Sequence, residues 1–320
     1  MNIDMHRIVL LALAVVFAPL PIARAQADTP LGAVVVTGAP SGIGRKITER
    51  LASKGFWVYA GARTQQEMDA LNAIRNVQAV RLDVTSASDI AAAVALVQEG
   101  NRTLRGIVNN AGVVAVAPLV EMSEKELAFV LDVNLFGPYR ITKAFAPLLL
   151  ASKGRVVNIS SLNGIVASPM IGAYSMSKHG IEAFSDALAA ELSPFGVRVS
   201  LIEPGNYGTN IGRNMLARAD TSALRGSRFE RQWRGALTTL GNFEQNPPPD
   251  AVADAAFDAL TAANPKHRYL VVPAANQATI VLRQLMEEIV QLNANQPYTL
   301  DRDALVKMLD AALARNAAAR

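Results

Sequence analysis

The stretch that decides the fold of this chain is Ala33-Val34-Val35-Val36-Thr37-Gly38-Ala39-Pro40-Ser41-Gly42-Ile43-Gly44. Its run of apolar, mostly β-branched residues predicts a strand buried on both faces, and a helical pattern follows from Arg45. Glycines at a strand-to-helix turn let the backbone approach a pyrophosphate, which the amino end of the helix attracts. The stretch therefore predicts a pyrophosphate-binding turn; a tight turn without a ligand would use the same glycines.

Apolar strand patterns alternate with helical patterns along the rest of the chain. The predicted strands are at residues 33–36, 57–61, 79–82, 107–109, 156–159, 197–202 and 269–272. This alternation indicates a parallel sheet with right-handed crossovers and helices on both faces. We therefore expect an α/β protein with a three-layer, doubly wound Rossmann fold of about seven parallel strands. It would form one domain over residues 31–275, with residues 276–320 as a helical extension packed on it.

Composition excludes several classes of function. The 320 residues are 51% hydrophobic and 18% charged, which suits a large core and argues against disorder. The net charge is +4, but the basic residues are scattered, so we expect no nucleic-acid partner. The chain has no cysteine, which excludes disulfides, thiolate catalysis and cysteine-ligated zinc. Its three histidines show no spacing that suggests a metal site.

The first 25 residues have the layout of a secretory signal peptide. His6 and Arg7 precede the apolar run 8–18, and Ala23-Arg24-Ala25 offers a cleavage site. The run is short for a membrane span, yet an uncleaved membrane anchor would have a similar pattern. The protein would be exported or membrane-associated through this segment, and cytoplasmic if the segment is not used.

A group of reactive side chains follows the fifth predicted strand. Ser160-Ser161-Leu162-Asn163-Gly164 ends that strand, and Ala173-Tyr174-Ser175-Met176-Ser177-Lys178 opens a helical pattern that Pro194 stops. Because Tyr174 and Lys178 are four residues apart, they lie on one face of the helix. A lysine cation lowers the pKa of a nearby phenol from its ordinary ~10, and a serine hydroxyl can bond a substrate oxygen. The sequence thus predicts a proton-transfer site, with a surface tyrosine beside a lysine as the simpler alternative.

Other candidate binding residues follow the strands. Arg63 comes after the second strand, where Ala62 stands in place of the acidic residue that would bind a ribose 2′-hydroxyl. A guanidinium there can hold a 2′-phosphate, which favours NADP over NAD unless Arg63 is only a solvated charge. Asn134 interrupts an apolar helix and needs a partner for its amide, and residues 210–243 suit a substrate lid. The remaining candidates at strand ends are Asp83, Val84, Asn109, Asn110, Ala111, Gly112, Pro204, Gly205 and Thr209.

Together these motifs resemble those of the classical short-chain dehydrogenases/reductases, over about residues 31–275. The shared motifs are Thr37-Gly38-x-x-x-Gly42-Ile43-Gly44, Asn109-Asn110-Ala111-Gly112, Asn134, Ser161, Tyr174-x-x-x-Lys178 and Pro204-Gly205. Ser161 is favoured over Ser160 because it stands thirteen residues before Tyr174, which is the family interval. Residues 179–188 are similar to retinol and hydroxysteroid dehydrogenases of the family, which implies a hydrophobic alcohol or ketone as substrate.

The resemblance implies hydride transfer between a nicotinamide cofactor and an alcohol or carbonyl carbon. Tyr174 would be the general acid/base, Lys178 would lower its pKa and bind the nicotinamide ribose, and Ser161 would polarise the substrate oxygen. Asn134 would hold a water in a proton relay with Lys178. The cofactor, NADP with NAD possible, would contact Gly38, Ser41, Gly42, Ile43, Gly44, Arg63, Asp83, Val84, Asn109, Ala111, Gly112, Tyr174, Lys178, Pro204, Gly205 and Thr209.

Two other functions fit the same sequence. One is a cofactor-binding but catalytically idle redox sensor or scaffold, against which the complete proton-transfer set argues. The other is a membrane-anchored lipid reductase, in which residues 1–25 stay as an anchor and the lid meets the bilayer. Ser41 departs from the pattern, since some NADP-dependent members carry a basic residue there. The family also implies a homo-oligomer, with the apolar helix 181–192 as a candidate interface.

Overall fold

The computed structural model describes residues 31–219 and 221–318 of the chain. Its centre is a parallel sheet of the strands β1 (Ala33–Val36), β2 (Trp57–Ala62), β3 (Val77–Arg81), β4 (Leu104–Asn109), β5 (Arg155–Ile159), β6 (Arg198–Pro204) and β7 (Arg268–Val271). The strand order is β3-β2-β1-β4-β5-β6-β7, and every neighbouring pair runs parallel. The predicted doubly wound α/β fold is confirmed.

Helices cover both faces of this sheet. In chain order, the helices are α1 (Gly42–Ser53), α2 (Gln65–Asn72), α3 (Ala87–Glu99), α4 (Glu124–Leu131), α5 (Gly137–Ser152), α6 (Gly172–Leu192), α7 (Ile211–Arg218), α8 (Glu230–Gly241), α9 (Asp250–Thr261), α10 (Ala275–Asn293) and α11 (Arg302–Ala318), of which α7, α8 and α11 lie away from the two faces. Alternate side chains of β1 pack on opposite faces of the sheet. Val34 and Val36 join one core cluster with residues of α1 and α9, whereas Val35 joins another with residues of α3 and α5. Burial on both faces explains why the strand is a continuous apolar run.

The order of the strands also determines where a ligand can bind. β1 and β4 are neighbours at the middle of the sheet, and the chain moves outward from them in opposite directions. Crossover helices therefore leave from opposite faces at this point, and they open a crevice beyond the carboxyl ends of the two strands. The glycine turn after β1 and the asparagine-rich turn after β4 both reach this crevice.

The C-terminal extension is attached through the first half of α10. There Gln277 accepts a hydrogen bond from the Asn206 backbone N–H at 2.9 Å, and Val281 is buried. Farther along, Leu292 is 80% exposed, and α11 has no buried side chain among its described residues. The prediction that the whole extension packs on the main domain is therefore wrong beyond this first half.

The predicted signal peptide or membrane anchor, residues 1–25, lies outside the described residues, so export and anchoring stay predictions. Within residues 31–219 and 221–318, no helix combines the length and apolar character needed to cross a membrane.

Candidate active site

A cleft of about 550 Å³ opens at the carboxyl edge of the sheet. This volume lies in the range of roughly 300–1,000 Å³ that is usual for small-molecule and cofactor sites. Most of the side chains predicted from sequence line it: Gly38, Ser41, Gly42, Ile43, Gly44, Arg63, Asp83, Val84, Ala111, Gly112, Ser161, Tyr174, Lys178, Pro204, Gly205 and Thr209. The fold thus brings the glycine turn and the proton-transfer group into one cleft.

The glycine turn is built so that side chains cannot fill it. Gly38 and Gly42 have φ values of 64° and 55°, a left-handed conformation that L side chains rarely adopt. A Cβ on Gly44 would overlap the Gly38 carbonyl oxygen and the Asn110 side-chain nitrogen. Ser41 precedes α1 without a side-chain capping bond, and the first turn has no acidic residue. The amino end of this helix therefore keeps the partial positive charge that attracts a phosphate.

Of the two adjacent asparagines after β4, the structure assigns the cleft to the second. Asn110 lines the cleft, and its side chain donates to the carbonyl oxygens of Thr37 and Gly38 at 2.9 and 3.0 Å. Asn109 lies beneath the cleft and donates to Thr142 Oγ1 and Asn158 Oδ1. The prediction of Asn109 as a cofactor contact is therefore corrected for its side chain, because the amide is held by Thr142 on α5 and by Asn158 on the neighbouring strand β5.

The end of β2 carries charges of both signs. Arg63 is exposed, and Arg81 donates to its carbonyl oxygen at 3.4 Å. Glu67 accepts from the backbone N–H groups of Arg63 and Thr64 at 3.0 and 3.1 Å and also lines the cleft. Sequence reasoning noted the absence of an acidic residue at position 62 but missed this carboxylate four residues beyond Arg63.

Asp83, at the end of the next strand, stays ionised. Burial raises the pKa of this carboxyl, but hydrogen bonds from the Thr85 hydroxyl and N–H, with Arg63 and Arg81 nearby, lower it below its usual value overall. A carboxylate in the cleft can accept a hydrogen bond from an amino group of a ligand.

The proton-transfer group is assembled on α6 and the turn before it. Tyr174 lies in the first turn of α6 and Lys178 one turn further along the same face, with its Nζ 5.6 Å from the tyrosine ring centroid. The lysine donates to the Ile159 carbonyl oxygen at 2.7 Å. Ser161 accepts from the Asn163 N–H at 3.1 Å and forms a hydrogen bond with the tyrosine.

Burial dominates the ionisation of both groups on α6. It raises the pKa of Tyr174, against which the hydrogen bond with Ser161 acts. Burial also lowers the pKa of Lys178 to about 8, although the Glu182 carboxylate opposes this change. The expected lowering of the tyrosine pKa by the lysine stays a prediction: in this structure the ammonium bonds the Ile159 carbonyl, and burial raises the pKa of the tyrosine overall.

Asn134 sits in a widened helical turn, residues Asp132–Phe136, between α4 and α5. Its Oδ1 accepts from the Val113 N–H at 2.8 Å, and its Nδ2 donates to the Val113 carbonyl at 2.8 Å and to Ser177 Oγ at 3.0 Å. The partner that the sequence required is thus backbone. Asn134 does not line the cleft itself, but it fixes the segment after β4 that does.

Residues 210–243 close one side of the cleft. Met215, Trp233 and Leu237 pack in an apolar cluster with Val114, and Tyr174 lies partly buried at its edge. Arg218 ties this segment to the turn after β4, because its guanidinium donates to the Val114 carbonyl at 2.6 Å and lies 5.3 Å from the Phe129 ring centroid. Sequence reasoning missed Arg218, since an arginine in a loop-like stretch gives no local sign of a distant partner.

Comparison with known proteins agrees with this geometry. A profile of the family described as short chain dehydrogenase matches residues 32–220. Retinol dehydrogenase 7 of Rattus norvegicus is 38% identical over 253 residues, which cover 74% of this chain and 79% of that protein. A short chain dehydrogenase/reductase of Burkholderia phymatum, solved in complex with NAD, has a TM-score of 0.71 at 25% identity, covering 84% of this chain and 98% of its own. A metagenomic short-chain oxidoreductase, solved in complex with NADP, has a TM-score of 0.59 at 30% identity, covering 76% and 97%.

The chain belongs to the short-chain dehydrogenase family. It is therefore an oxidoreductase of the class that acts on alcohol and carbonyl groups.

Proposed function

We propose that this protein transfers a hydride between a nicotinamide cofactor and a hydrophobic alcohol or carbonyl compound, with NADP preferred over NAD. The observation that carries the proposal is that Ser161, Tyr174 and Lys178 line the same cleft as the glycine turn. A phenol, a hydroxyl and an ammonium around one cleft can move a proton to or from an oxygen, which hydride transfer at a carbonyl carbon requires.

The cleft fits a dinucleotide by the shape of its glycine turn. A Cβ at Gly44 would overlap the Gly38 carbonyl oxygen and the Asn110 side chain, so only a glycine lets the turn pack this closely. Gly38, Ser41 and Ile43 would hold the pyrophosphate, Asp83 would accept from the adenine amino group, and Lys178 would bind the nicotinamide ribose. The nicotinamide, when bound, supplies or accepts the hydride.

The side chains of the protein would handle the proton. Because burial raises the pKa of Tyr174, its phenol is protonated at neutral pH and can donate to the oxygen of a carbonyl. Ser161 bonds the phenol already and would also bond that oxygen as charge develops on it. Lys178, with a pKa of about 8, is mainly charged at neutral pH and would stabilise the phenolate that remains. Asn134 would hold a relay water beside the lysine, since both flank Gly112.

The preference for NADP rests on Arg63. Its exposed guanidinium stands at the end of β2, where a 2′-phosphate would lie, and Arg81 adds a second cation nearby. Glu67 opposes this preference, because its carboxylate occupies the backbone N–H groups that could otherwise bind the phosphate. Asp83 and Asp89 also lie near these guanidinium groups, so the preference rests on Arg63, the exposed cation that can turn to a phosphate.

The apolar substrate is supported by the residues 210–243. Met215, Trp233 and Leu237 place apolar surface against Val114, on the side of the cleft where Tyr174 lies. The similarity to a retinol dehydrogenase of rat agrees with a large apolar substrate.

The experiment that tests this function measures oxidation of NADPH and NADH by the full chain, with carbonyl compounds from small ketones to retinal and steroids. We expect turnover with NADPH on the large apolar compounds. Tyr174→Phe should lose at least about a hundredfold in kcat, because the ring has no proton to transfer. Tyr139→Phe, an exposed tyrosine on α5, is the control and should keep its activity. Tight NADPH binding without turnover on any compound would favour an idle binder.

Cofactor choice is measured in the same assay. Arg63→Gln should lower the ratio of kcat/KM for NADPH to that for NADH by about tenfold or more, because one charge-assisted contact is lost. The exposed Arg75, changed to Gln, is the matched control. A ratio below one in the unaltered chain would contradict the preference for NADP.

Two parts of the proposal concern the whole protein. A homo-oligomer is supported by an apolar groove between α5 and α6, lined by Leu149, Phe184 and Leu188, and light scattering after size exclusion would measure its size. Association with membranes through residues 1–25 is measured by fractionation with and without a salt wash.

A further inference from the structure

Two buried carboxyl groups lie behind the catalytic lysine and take no part in the proposed mechanism. Glu182 is on α6 and Glu203 on β6, and they are only 8% and 2% exposed. Burial, together with the Glu182 charge, raises the pKa of Glu203 to about 7. A second carboxylate makes ionisation of a buried carboxyl group costly, so Glu203 keeps its proton up to about neutral pH.

Unpaired oxygen atoms lie in the same place. Among the described residues, Glu182 Oε1, Glu203 Oε1 and Ser160 Oγ are buried without a hydrogen-bond partner. A Cβ on Gly164 would lie 2.6 Å from Ser160 Oγ and 2.7 Å from Glu182 Oε1, so these two oxygens converge on one point. Buried oxygens need donors, and those at hand are the Ser160 hydroxyl, which points to the same place as Glu182 Oε1, and Arg268, whose Nε lies 3.4 Å from Glu203 Oε1.

The pair is connected to the active site through α6. Glu182 stands four residues after Lys178, and Lys178 stands four residues after Tyr174, so the three side chains form one stripe along the helix. Lys178 is 5% exposed. Glu182 is the charge that favours its ammonium form, whereas burial disfavours it.

The far side of the pair is bounded by cations near the surface. Arg268, on β7, lies 3.2 Å from Glu182 Oε2 and 3.4 Å from Glu203 Oε1, and it also binds Asp186 at 2.8 Å. His267 binds Asp186 at 2.8 Å. The groups that face the pair are thus Lys178 and Asp186 from α6, Ser160 from the end of β5, and Arg268 and His267 from β7 and the turn before it.

We propose that Glu182 is a positioning residue that keeps the ammonium of Lys178 charged in its buried site. This proposal rests on the proposed function, in which the charged lysine stabilises the phenolate of Tyr174. Without the Glu182 charge, burial acts on the lysine unopposed, and the ammonium loses its proton at a lower pH.

The test compares Glu182→Gln with Glu191→Gln in the full chain, measuring kcat/KM across pH. Glu191 lies on the same helix but is exposed, so its variant should match the unaltered chain. In Glu182→Gln we expect the loss of activity at alkaline pH to begin about one pH unit lower, which is about a tenfold deficit at high pH. At about pH 6.5, where the lysine stays protonated in both, activity should agree within about twofold. An equal loss at every pH would indicate a merely structural role and overturn the proposal.

A second readout does not depend on turnover. Acylation of the Lys178 amine, followed by mass spectrometry of its peptide, reports the pH at which the amine becomes neutral. That pH should fall in Glu182→Gln and stay unchanged in Glu191→Gln. If the unaltered chain turns over no substrate, this measurement still decides the proposal, because an unchanged acylation profile contradicts it and a lowered one supports it.

Glu203 could take over the charge when Glu182 is replaced. The double variant Glu182→Gln/Glu203→Gln removes this route, so its profile should shift at least as far as that of the single variant. Glu203→Gln alone mimics the protonated carboxyl and should keep its fold and its activity at about pH 6.5. A large loss of activity in Glu203→Gln at that pH would contradict a protonated Glu203 carboxyl.

Discussion

Burial moves Tyr174 and Lys178 towards their uncharged forms, which prepares them for proton transfer in different ways. Burial raises the pKa of the tyrosine further above neutral pH, so the phenol keeps its proton until an acceptor binds. The pKa of the lysine, about 8, is close enough to neutral pH that a nearby carboxylate decides which fraction of the lysine is charged. At the residue scale, therefore, a change in the surroundings alters the charge of the lysine more than that of the tyrosine.

The stability of the protein should depend on pH through Glu203. Folding raises the pKa of this carboxyl from 4.5 to about 7, so the folded state keeps a proton that the unfolded state releases. The free energy of unfolding should then fall as pH rises through this window, by up to about 3 kcal/mol. Glu203→Gln has no proton to lose and should be more stable than the unaltered chain above about pH 7.

Urea unfolding of the full chain at about pH 5 and about pH 8 measures this difference. The advantage of Glu203→Gln should grow between the two, and the exposed Glu191→Gln should show no such growth. An advantage that is the same at both pH values would mean that folding does not raise the pKa of Glu203.

At the scale of one element, the turn between β1 and α1 makes a sharp prediction about glycine. In Gly44→Ala the new methyl group would overlap the Gly38 carbonyl and the Asn110 amide, neither of which can move without breaking the turn. We expect a loss of about 1–3 kcal/mol in stability and of most cofactor binding.

Gly235→Ala, inside α8, is the matched control for this substitution. A Cβ there meets nothing within 4 Å, so the change should raise stability by about 0.5–1 kcal/mol through helix propensity alone. Thermal unfolding and NADPH titration measure both variants. Equal effects at the two glycines would show that the turn tolerates a side chain.

Elements with a strong local pattern could be predicted from the sequence. The first and last residues of the strand Ala33–Val36 were predicted correctly, because a strand buried on both faces is apolar throughout. The start of β4 was not, since Leu104 is followed by an exposed arginine and a glycine before the apolar run resumes. The attachment of α10 could not be read either, because its only buried side chain, Val281, looks like its exposed neighbours.

The residues of the site also fall into those that the sequence predicted and those that it did not. Side chains that a motif names, such as Ser161 and Tyr174, were found in the predicted cleft. Side chains that act through distant partners were missed, because nothing in the local sequence distinguishes Glu182 from a solvated helix carboxylate or Arg218 from a surface cation. The sequence named both Asn109 and Asn110 as candidates, but it does not say which of two adjacent side chains at a strand end faces the cleft.

At the scale of the whole molecule, Arg218 is the contact that joins residues 210–243 to the Rossmann domain by a charged hydrogen bond. Burial and the nearby Arg63 lower the pKa of Arg218, and Glu126 raises it, but a guanidinium stays charged. Its bond to the Val114 carbonyl crosses from α7 to the turn that lines the cleft, and its position over the Phe129 ring adds a cation–π contact. Apolar packing by Met215 and Trp233 holds the rest of the segment.

Arg218→Ala should therefore loosen this segment without unfolding the domain. A charged hydrogen bond contributes about 1.5–3 kcal/mol, so amide hydrogen exchange in α7 should speed up by about tenfold or more. KM for apolar substrates should rise while exchange in β1 and β4 stays unchanged, because those strands are buried on both faces. Arg231→Ala, an exposed arginine on α8, is the control and should change neither quantity. Unchanged exchange in Arg218→Ala would mean that the apolar cluster alone keeps residues 210–243 closed over the cleft.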